Sequence, residues 1–430
     1  MILNIKEYGA VGDGKTIDTS SIQRVLDKAS GSKVIIPEGI YLVGALFIRS
    51  NTTIIFESGA KFLALKDIKE FPEIFSRVAG VEMYWPAAIL NLINVTNVDI
   101  QGPGLINGSG PYWWNIYWGK DQKSGRRQWY DEHNLRWIAD YEIKRVRSIL
   151  IYKSNNIRIK DLILEEAGFW NLQITYSTEV EISQITIQKN TGPSTDGIDI
   201  DSSENIHIHD CLLSCGDDCI AIKSGRDGDG LRVNKPTQQV EIDHCTILSG
   251  YGVTIGSEVS GSIRYINIHD MKFLNSGCGF RMKSAVDRGG IIENIVVSNL
   301  LMKNTRFPFS WLMTWHNQYN KKTQQNLESK PDFWKSVAEQ IPLNNQGTQV
   351  RNITVNNVVA QITEDYKLSS RAFDIRALDF KPMENITFEN VKIQASEFGY
   401  IEAVNNLNLK NVLLSIKHNN STENDNYDNR

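Results

Sequence analysis

The chain repeats a short pattern in which a polar turn precedes a strand of alternating apolar and polar residues. The phrase SNNIRIKDLIL at residues 154–164 returns in related form as STEVEISQITI, SENIHIHDCLL, TQQVEIDHCTI, RYINIHDMKFL, IENIVVSNLLM, VRNITVNNVVA and MENITFENVKI. Strands at such a period, with no regular helix between them, are typical of a coiled stack. The first apolar residue of each strand is expected to face inward, and these residues are Ile157, Val180, Ile206, Val240, Ile266, Ile295, Ile353, Ile386 and Leu407.

The spacing of these inward residues predicts the coil length. Successive positions are 21 to 34 residues apart, except for one interval of 58, which is interpreted as one coil carrying an insertion. The pattern predicts an all-β chain that forms a single right-handed parallel β-helix domain over residues 1–430. Equivalent residues of neighbouring coils then lie about 4.8 Å apart. Polar residues that are distant in sequence are therefore expected to converge on one face.

Three segments depart from the repeat. Apolar Ile22, Val25 and Leu26 stand at helical spacing, which predicts a short N-terminal capping helix with Thr19 or Ser20 as its N-cap. Residues 110–131 contain four Trp and three Tyr among charged residues. They are predicted to form a long loop beside a groove, where aromatic rings can stack on sugars; the alternative is a loop that packs its Trp side chains over the stack.

Residues 306–349 form a second predicted insertion, with a short helix in PDFWKSVAEQ. His316 in this insertion is expected either to contact a sugar or to have a structural role. The polar tail at 419–430 is predicted to fray.

Composition excludes several classes of protein. The net charge is −4, so no basic field indicates binding to nucleic acid. No run approaches the roughly 20 apolar residues that span a membrane. The first residues lack the basic and apolar regions of a leader, which predicts a cytoplasmic protein, or a secreted or periplasmic one if a leader was removed.

The five cysteines lack the spacing of a zinc site, and no metal or other cofactor is predicted. They are expected to be buried free thiols, which suits a reducing compartment: Cys211, Cys215, Cys219, Cys245 and Cys278.

Three aspartates carry the candidate chemistry. Asp196 lies in GPSTDGIDID, and Asp217 and Asp218 lie in SCGDDCIAIKSG, about one coil later. Adjacent strand residues face opposite sides, so this pair must occupy a bend, which Gly216 makes easier. Clustered carboxylates repel, and the pKa of one of them rises. The sequence therefore predicts a general acid beside a general base, as glycoside hydrolysis requires.

Two cations follow the aspartates. Arg281 and Lys283 are two residues apart and therefore share one face of a strand. Since Arg matches a carboxylate bidentately, the pair indicates an acidic substrate, although an internal salt-bridge network with the aspartates is the alternative. Lys223 and Glu258 are predicted at the edge of the same site.

Several motifs together resemble glycoside hydrolase family 28, the polygalacturonase family, over roughly residues 5–415. They are GAVGDGKTIDTSSIQ, GFWNLQ, TDGIDIDSSENIHI, GDDCIAIKSG, GYGVTIGSE and RMKS. The resemblance implies a metal-free hydrolase that inverts the anomeric centre of a pectic substrate. It implies Asp217 as general acid, Asp196 and Asp218 as the carboxylates that activate water, and Arg281 with Lys283 as the pair that binds the galacturonate carboxylate. An inverting enzyme holds its two carboxyl groups about 6.5–9.5 Å apart.

Two positions depart from the family motifs. Ser194 stands where the family motif NTD has Asn, and Tyr251 stands where the motif GHG has His. Tyrosine donates a hydrogen bond but does not titrate near neutrality. Tyr251 is therefore expected either to orient a carboxylate or to shape a subsite for a different sugar.

Four functions stay open at this point. The first is an exo-acting hydrolase of galacturonate-containing oligosaccharides, with Arg281, Lys283, Tyr251 and Lys223 binding substrate. The second is a hydrolase of the same family that cuts rhamnose-containing or decorated pectin. The third is a β-elimination lyase on the same scaffold, which needs Ca²⁺, and the fourth is a non-catalytic glycan-binding protein. Neither the oligomeric state nor the exact linkage is predicted.

Overall fold

The computed structural model describes residues 1–133, 135–315, 332–340 and 346–417. Its strands form two long parallel sheets and one antiparallel pair, Glu73–Val78 with Val81–Pro86. The sheet of 11 strands contains Leu46–Phe47, Leu90–Ile93, Ile149–Tyr152, Leu172–Thr175, Ile198–Asp201, Ile220–Lys223, Val253–Gly256, Cys278–Lys283, Phe307–Leu312, Arg371–Arg376 and Glu397–Glu402.

The sheet of 21 strands covers the other sides of the coil. Its members are Ile2–Asn4, Asp13–Ile17, Ser32–Ile36, Gly39–Val43, Thr52–Phe56, Ala60–Ala64, Thr96–Gln101, Leu105–Asn107, Asn155–Lys160, Ile163–Glu165, Thr178–Ser183, Thr186–Gln188, Glu204–His209, Leu212–Leu213, Thr237–Asp243, Thr246–Ile247, Ile263–Leu274, Ile291–Lys303, Gln349–Gln361, Met383–Ala395 and Val404–Ile416. Apolar side chains from both sheets fill the interior as one continuous core.

The predicted repeat matches the observed register. Ile157, Val180 and the seven other inward residues pair with one another in unbroken succession from coil to coil. Ile295 pairs directly with Ile353, so the interval of 58 is one coil with an insertion, as predicted.

A left-handed corner residue precedes each inward residue of the repeat. The φ angles at these nine corners are 53° to 58°. Asparagine tolerates this conformation better than most residues, and six of the nine corners in the repeat carry it. Stacked corner amides also bond to each other, as where Asn352 donates to Asn294 at 3.1 Å and Asn385 donates to Asn352 at 3.0 Å. The corner thus bends each coil and links it to the next.

The predicted capping helix is present at Thr19–Leu26 and buries Ile22, Val25 and Leu26. Its N-cap is Asp18, so the assignment of the cap to Thr19 or Ser20 was wrong. The buried Asp18 carboxylate instead accepts hydrogen bonds from the backbone N–H groups of Val11, at 2.7 Å, and Gly12, at 3.1 Å. It therefore fixes the preceding Gly-rich turn rather than the helix end.

The aromatic segment at 110–131 was predicted as a loop, and the structure corrects this. It contains the helices Gly110–Trp118 and Arg126–Glu132 and leads into Arg136–Glu142. Trp113 and Trp114 are buried and donate their indole N–H groups to the backbone of Gly108 and Ala167, at 3.1 and 2.9 Å. These two rings pack against the core of the stack, which is the alternative that the sequence left open.

The second insertion contains the predicted helix, at Asp332–Gln340. Its Trp334 is buried, donates to a Glu142 carboxylate oxygen at 2.9 Å and lies 5.7 Å from the Trp129 ring. The two insertions therefore pack on each other. His316 and the tail at 419–430 lie outside the described residues.

The remaining helices in the described part of the chain are short: Asp227–Val233, with 3-10 turns at Ile5–Tyr8 and Ile68–Glu70. Within the described residues, no helix is both long enough and apolar enough to cross a membrane. All five cysteines are free and buried, as predicted.

Candidate active site

A cavity of about 670 Å³ lies beside the 11-stranded sheet. The helical insertion contributes Tyr117, Trp118 and Arg127, among others, to its wall, and the strands of the 11-stranded sheet and the turns beside them contribute most of the remaining lining. Six of the seven residues predicted for the site line this cavity: Asp196, Asp217, Lys223, Tyr251, Arg281 and Lys283. The seventh, Asp218, lies directly behind them and is fully buried.

The three aspartates are brought together by the stacking of successive turns. Asp196 precedes strand Ile198–Asp201, and Asp217 and Asp218 precede Ile220–Lys223. The Gly197 N–H donates to the Asp218 carbonyl at 2.9 Å, which sets the two turns in register. One oxygen from each of the three carboxylates lies within 4.8 Å of the others. Convergence of the three residues is therefore observed as predicted.

Gly216 allows the bend before the aspartate pair, but for a reason other than conformational freedom. A Cβ atom at this position would come within 2.5 Å of the Thr195 hydroxyl and 2.6 Å of the Gly192 carbonyl. Its φ angle lies outside the left-handed region. The glycine is required because the two turns approach each other closely.

Asp218 is the most strongly paired of the three carboxylates. It accepts hydrogen bonds from the Thr254 hydroxyl at 2.7 Å, the Lys283 ammonium at 2.7 Å and the Arg281 guanidinium at 3.3 Å. Burial alone would raise the pKa of Asp218, but these two cations outweigh it and hold the pKa below the usual aspartate value. The structure therefore favours an ionised Asp218.

Asp217 and Asp196 are shifted in the opposite direction. Burial and the neighbouring Asp218 charge raise the pKa of Asp217, against the attraction of Lys283 and Arg281. Burial and the charges of Asp199 and Asp217 raise the pKa of Asp196 well above the usual value. Because the carboxylates are so close, the cluster retains a proton that separate aspartates would lose.

The positive charge of Lys223 lies among carboxylates on the other side of Asp196. Its ammonium lies 3.2 Å from Glu258, 3.5 Å from Asp199 and 3.8 Å from Asp196. Burial lowers the pKa of Lys223, but the adjacent carboxylates, Glu258 first, raise it well above the usual value overall. Both Lys223 and Glu258 line the cavity, where the sequence placed them. A contact between Lys223 and substrate stays a prediction.

Asp199 was missed in the sequence although it lies in the quoted segment TDGIDID. It is fully buried, and its pKa is raised to about 8, chiefly by burial. Along the 11-stranded sheet Asp199 pairs with Ala221, Ala221 pairs with Thr254, and Thr254 pairs with Arg281. The alternation of inward and outward residues along this strand would have predicted that Asp199 faces the same side of the sheet as Arg281. That pattern was the feature of the sequence from which Asp199 could have been found.

Tyr251 packs its ring against a cation of the site. The Arg281 guanidinium lies 4.6 Å from the centre of this ring, and Trp315 approaches Arg281 and Lys283 at 5.9 and 4.7 Å. Such contacts attract a cation to the face of an aromatic ring. From the sequence we expected Tyr251 either to donate a hydrogen bond to a carboxylate or to shape a different subsite. Stacking of its ring on Arg281 was not predicted.

Comparison with known proteins decides the family. The model of glycosyl hydrolases family 28 matches residues 28–414. The chain belongs to this family. The resemblance found in the motifs is thereby confirmed.

Two curated relatives illustrate this membership. A probable polygalacturonase of Vitis vinifera is 32% identical over 326 residues, which cover 72% of this chain and 62% of that protein. An exo-poly-alpha-D-galacturonosidase of Dickeya chrysanthemi is 25% identical over 335 residues, 70% of this chain and 55% of that protein. The matched part of the chain thus spans less than two thirds of the length of either relative.

A solved family 28 neighbour has the same architecture. The hyperthermoactive exopolygalacturonase of Thermotoga maritima superposes with a TM-score of 0.79 at 23% identity, over 96% of this chain and 92% of that one. The predicted right-handed parallel β-helix is confirmed.

The family 28 motif that contains Asp196 is supported from below by a residue missed in the sequence. Arg145 is fully buried and donates to the Pro193 carbonyl and, at 3.3 Å, to the Ser194 hydroxyl. Its guanidinium also stacks on the rings of Tyr117, at 4.2 Å, and Phe169, at 4.7 Å. Ser194, which replaces the family asparagine, has φ +52° and therefore shapes this turn. Arg145 connects the helical insertion to the turn that presents Asp196.

Proposed function

We propose that this chain hydrolyses the glycosidic bonds of galacturonate-containing pectic glycans, with inversion, and removes sugars from one end of an oligosaccharide. The observation that carries the proposal is the group of three carboxylates whose nearest oxygens lie within 4.8 Å, with Arg281 and Lys283 beside them in the cavity. Membership of family 28 supports the reaction class.

Asp217 is the general acid in this proposal. It is the least buried of the three and lines the cavity, and its raised pKa favours the protonated form that donates to the leaving oxygen. Asp218, held ionised by Lys283 and Arg281, supplies the negative charge that activates water. Asp196 assists by holding that water, and because its raised pKa favours its protonated form, less of it is ionised to act as a base than of Asp218.

The distances leave the stereochemical outcome as a prediction. The 4.8 Å limit joins the nearest oxygen atoms, whereas the range of about 6.5–9.5 Å for inverting enzymes refers to whole carboxyl groups. Inversion rests here on the family resemblance, and the anomer of the fresh product is the direct test.

Arg281 and Lys283 recognise the carboxylate of the sugar. Arginine has five N–H donors, and the Arg281 guanidinium both lines the cavity and contacts Asp218. The two proposals for these cations, substrate binding and an internal salt bridge, are therefore compatible. A substrate carboxylate would share the cations with Asp218 and join an existing network.

Exo action is supported by the walls of the cavity. The helices Gly110–Trp118 and Arg126–Glu132 contribute Tyr117, Trp118 and Arg127 to the cavity wall, and helix Asp332–Gln340 packs on them through Trp334. We expect this wall to block an extended polymer on that side of the cavity. The relative from Dickeya chrysanthemi carries the name of an exo-acting enzyme.

Product analysis tests the proposal. The protein is incubated with galacturonan oligomers and with rhamnogalacturonan fragments, with and without chelator, and the products are separated by anion-exchange chromatography. Release of monogalacturonate from one end, unaffected by chelator, is expected. Asp217→Asn should lower the rate by about 10²- to 10⁴-fold because it removes the general acid.

The matched control is Asp161→Asn, the same chemical change at an exposed corner with φ +61°, which asparagine tolerates. Proton NMR of the first product should show the inverted anomer. Internal cuts in the polymer would contradict exo action, unsaturated products lost with chelator would indicate a lyase, and no product from any glycan would contradict an enzymatic role.

A further inference from the structure

A second cluster of titratable side chains lies away from the cavity, on the outer face of the 21-stranded sheet. Four of the seven histidines of the chain are in it: His207, His209, His244 and His269. They belong to three consecutive coils, and none of them lines the cavity. The proposed hydrolysis uses none of these residues.

Register stacking builds the cluster. Asp243 pairs with His209 on one side and with His269 on the other, and Glu241 pairs with His207. One oxygen from Glu241, one oxygen from Asp243 and one ring nitrogen from His269 all lie within 4.8 Å of one another. Two carboxylates and an imidazole therefore face a common point on the surface.

The spacing fits a small cation. A tetrahedral site with bonds of about 2.0–2.2 Å separates its ligand atoms by roughly 3.3 Å. The His269 Nε2 atom lies 3.1 Å from the Glu241 carboxylate, close to that separation. Glu241 is half-exposed, with 50% of its side chain accessible, so its carboxylate has room to adjust toward Asp243.

The second nitrogen of His269 is already oriented by a carboxylate. Its Nδ1 atom lies 2.7 Å from Asp270. A metal-binding histidine commonly donates its other ring N–H to a carboxylate, which fixes the tautomer and the ring orientation. Asp270 thus directs Nε2 toward Glu241 and Asp243.

Further imidazoles stand at the same point. His207 and His244 contact the two oxygens of Asp243, at 2.6 and 2.5 Å. Each is partly exposed and can turn toward an ion held by that carboxylate. A fourth ligand is therefore within reach.

We propose that this face binds one divalent transition-metal cation, with Zn²⁺ as the representative ion, through Glu241, Asp243 and His269. His207 or His244 completes the coordination. Mixed imidazole and carboxylate ligands suit zinc better than calcium or magnesium, which prefer oxygen alone. Because the ligands come from neighbouring coils, the ion would cross-link the stack at this face.

Direct titration tests the site. The full chain, without an affinity tag and freed of metal by chelator and dialysis, is titrated with Zn²⁺ by calorimetry. One ion per chain is expected. Glu241→Gln and His269→Gln should each weaken binding by about 100-fold or more, and Asp270→Asn by about 10- to 100-fold, since it removes the group that orients His269.

Two controls separate this site from others. Glu181→Gln makes the same chemical change in the same column of the sheet, two coils from Glu241, and should retain binding. Asp217→Asn tests the cavity carboxylates, which are the other group among the described residues close enough to hold an ion, and should also retain it. X-ray absorption on the zinc-loaded protein should show imidazole and oxygen ligands at about 2.0–2.1 Å.

The unfolding temperature provides an independent readout. Zinc should raise it in the wild type and not in His269→Gln, because only an ion bound to the folded chain stabilises it. Hydrolysis by His269→Gln should equal that of the wild type. Binding that persists in Glu241→Gln and His269→Gln, binding lost in Asp217→Asn, or the absence of binding to the wild type would each overturn the proposal.

Discussion

Two groups of carboxylates in this molecule have the same origin and different surroundings. In the cavity, Asp196, Asp217 and Asp218 are stacked by successive turns, and on the outer face Glu241 and Asp243 are stacked with His269 by successive strands. Both groups bring their nearest ligand atoms within 4.8 Å. The cavity group is largely buried and faces lysine and arginine, whereas the outer group ranges from the exposed Glu241 to the buried Asp243 and faces histidine.

The difference shows in the direction of the pKa shifts. In the cavity the pKa of Asp217 rises while that of its neighbour Asp218 falls, because Lys283 and Arg281 contact only one of them closely. On the outer face burial raises the pKa of Asp243, but hydrogen bonds from His244 and His207 lower it overall, and the hydrogen bond from His269 lowers the pKa of Asp270. Opposite shifts create an acid and a base, whereas shifts in one direction create ion pairs.

The largest expected difference concerns stability after the same substitution in each group. Asp218→Asn should cost about 3–5 kcal/mol of unfolding free energy, because it leaves Lys283 and Arg281 buried without their countercharge. Asp270→Asn should change it by only about 0.5 kcal/mol or less, as for other exposed positions. Urea denaturation followed by circular dichroism measures both.

Asp270 is a suitable partner for this comparison because its corner conformation, φ +54°, accepts asparagine, and it already bonds to Asn299. Equal losses in the two variants would mean that water screens the cavity cluster as effectively as the surface. The comparison between the two groups would then fail.

The second prediction concerns pH. Burial lowers the pKa of His209 and His269, but hydrogen bonds to neighbouring carboxylates raise both values overall. The partners are Asp210 and Glu181 for His209, and Asp270 and Glu241 for His269. Stability from a group with a raised pKa is fully present below the ordinary histidine value of 6.5 and is lost as pH rises through the folded-state value. The outer face should therefore stabilise the fold less at pH 8 than at pH 6.

The measurement is the unfolding temperature of metal-free protein at both pH values, for the wild type and for the double variant His209→Gln, His269→Gln. Asp199, whose pKa is raised to about 8, also loses stability over this window. It contributes equally to both proteins, so their difference isolates the histidines. An identical pH response of the two proteins would contradict the prediction.

The cavity group should respond in another window. The pKa of Asp218 is lowered, so its stabilisation is present above the ordinary aspartate value of 3.8 and is lost as pH falls through the folded-state value. Activity should depend on pH in the opposite direction, because it requires the protonated form of Asp217. Hydrolysis should therefore decline as pH rises through the raised pKa of Asp217.

The sequence predicted the regular part of the molecule almost residue by residue. Ile157 and its successors alternate with polar residues at period two, and only one register keeps all of them inside. This is why the long interval between Ile295 and Ile353 was interpreted correctly. The aspartates followed from the same logic, since one coil separates Asp196 from Asp217 and Asp218.

The irregular part could not be obtained in this way. The aromatic segment at 110–131 has no repeat to fix its partners, and its polar residues resembled those of a loop although Trp113 and Trp114 are buried. Arg145 was overlooked because a charged residue is rarely buried unless it is paired. Its partners are distant in sequence: the Pro193 carbonyl is 48 residues later in the chain, and the Tyr117 ring lies in the aromatic insertion. Tertiary contacts decide such positions.

The smallest expected effect concerns Tyr251, where two substitutions distinguish the contribution of the ring from that of the hydroxyl. The Arg281 guanidinium lies 4.6 Å from the ring centre, so removal of the ring in Tyr251→Leu should release this cation and weaken substrate binding. A cation–ring contact contributes about 0.5–1 kcal/mol at a partly exposed site, which corresponds to a rise in KM of roughly two- to fivefold. Tyr251→Phe keeps the ring and serves as the matched control, with KM near the wild-type value. The rate kcat should change little in either variant, because the contact with Arg281 exists before substrate binds and is made equally in the ground and transition states.

If Tyr251→Phe is impaired as strongly as Tyr251→Leu, or if kcat falls and KM does not change, the hydroxyl acts on the reacting groups. In that case Tyr251 would perform a role like that of the family histidine, and the cavity cluster would depend on a polar contact where we infer a stacking one.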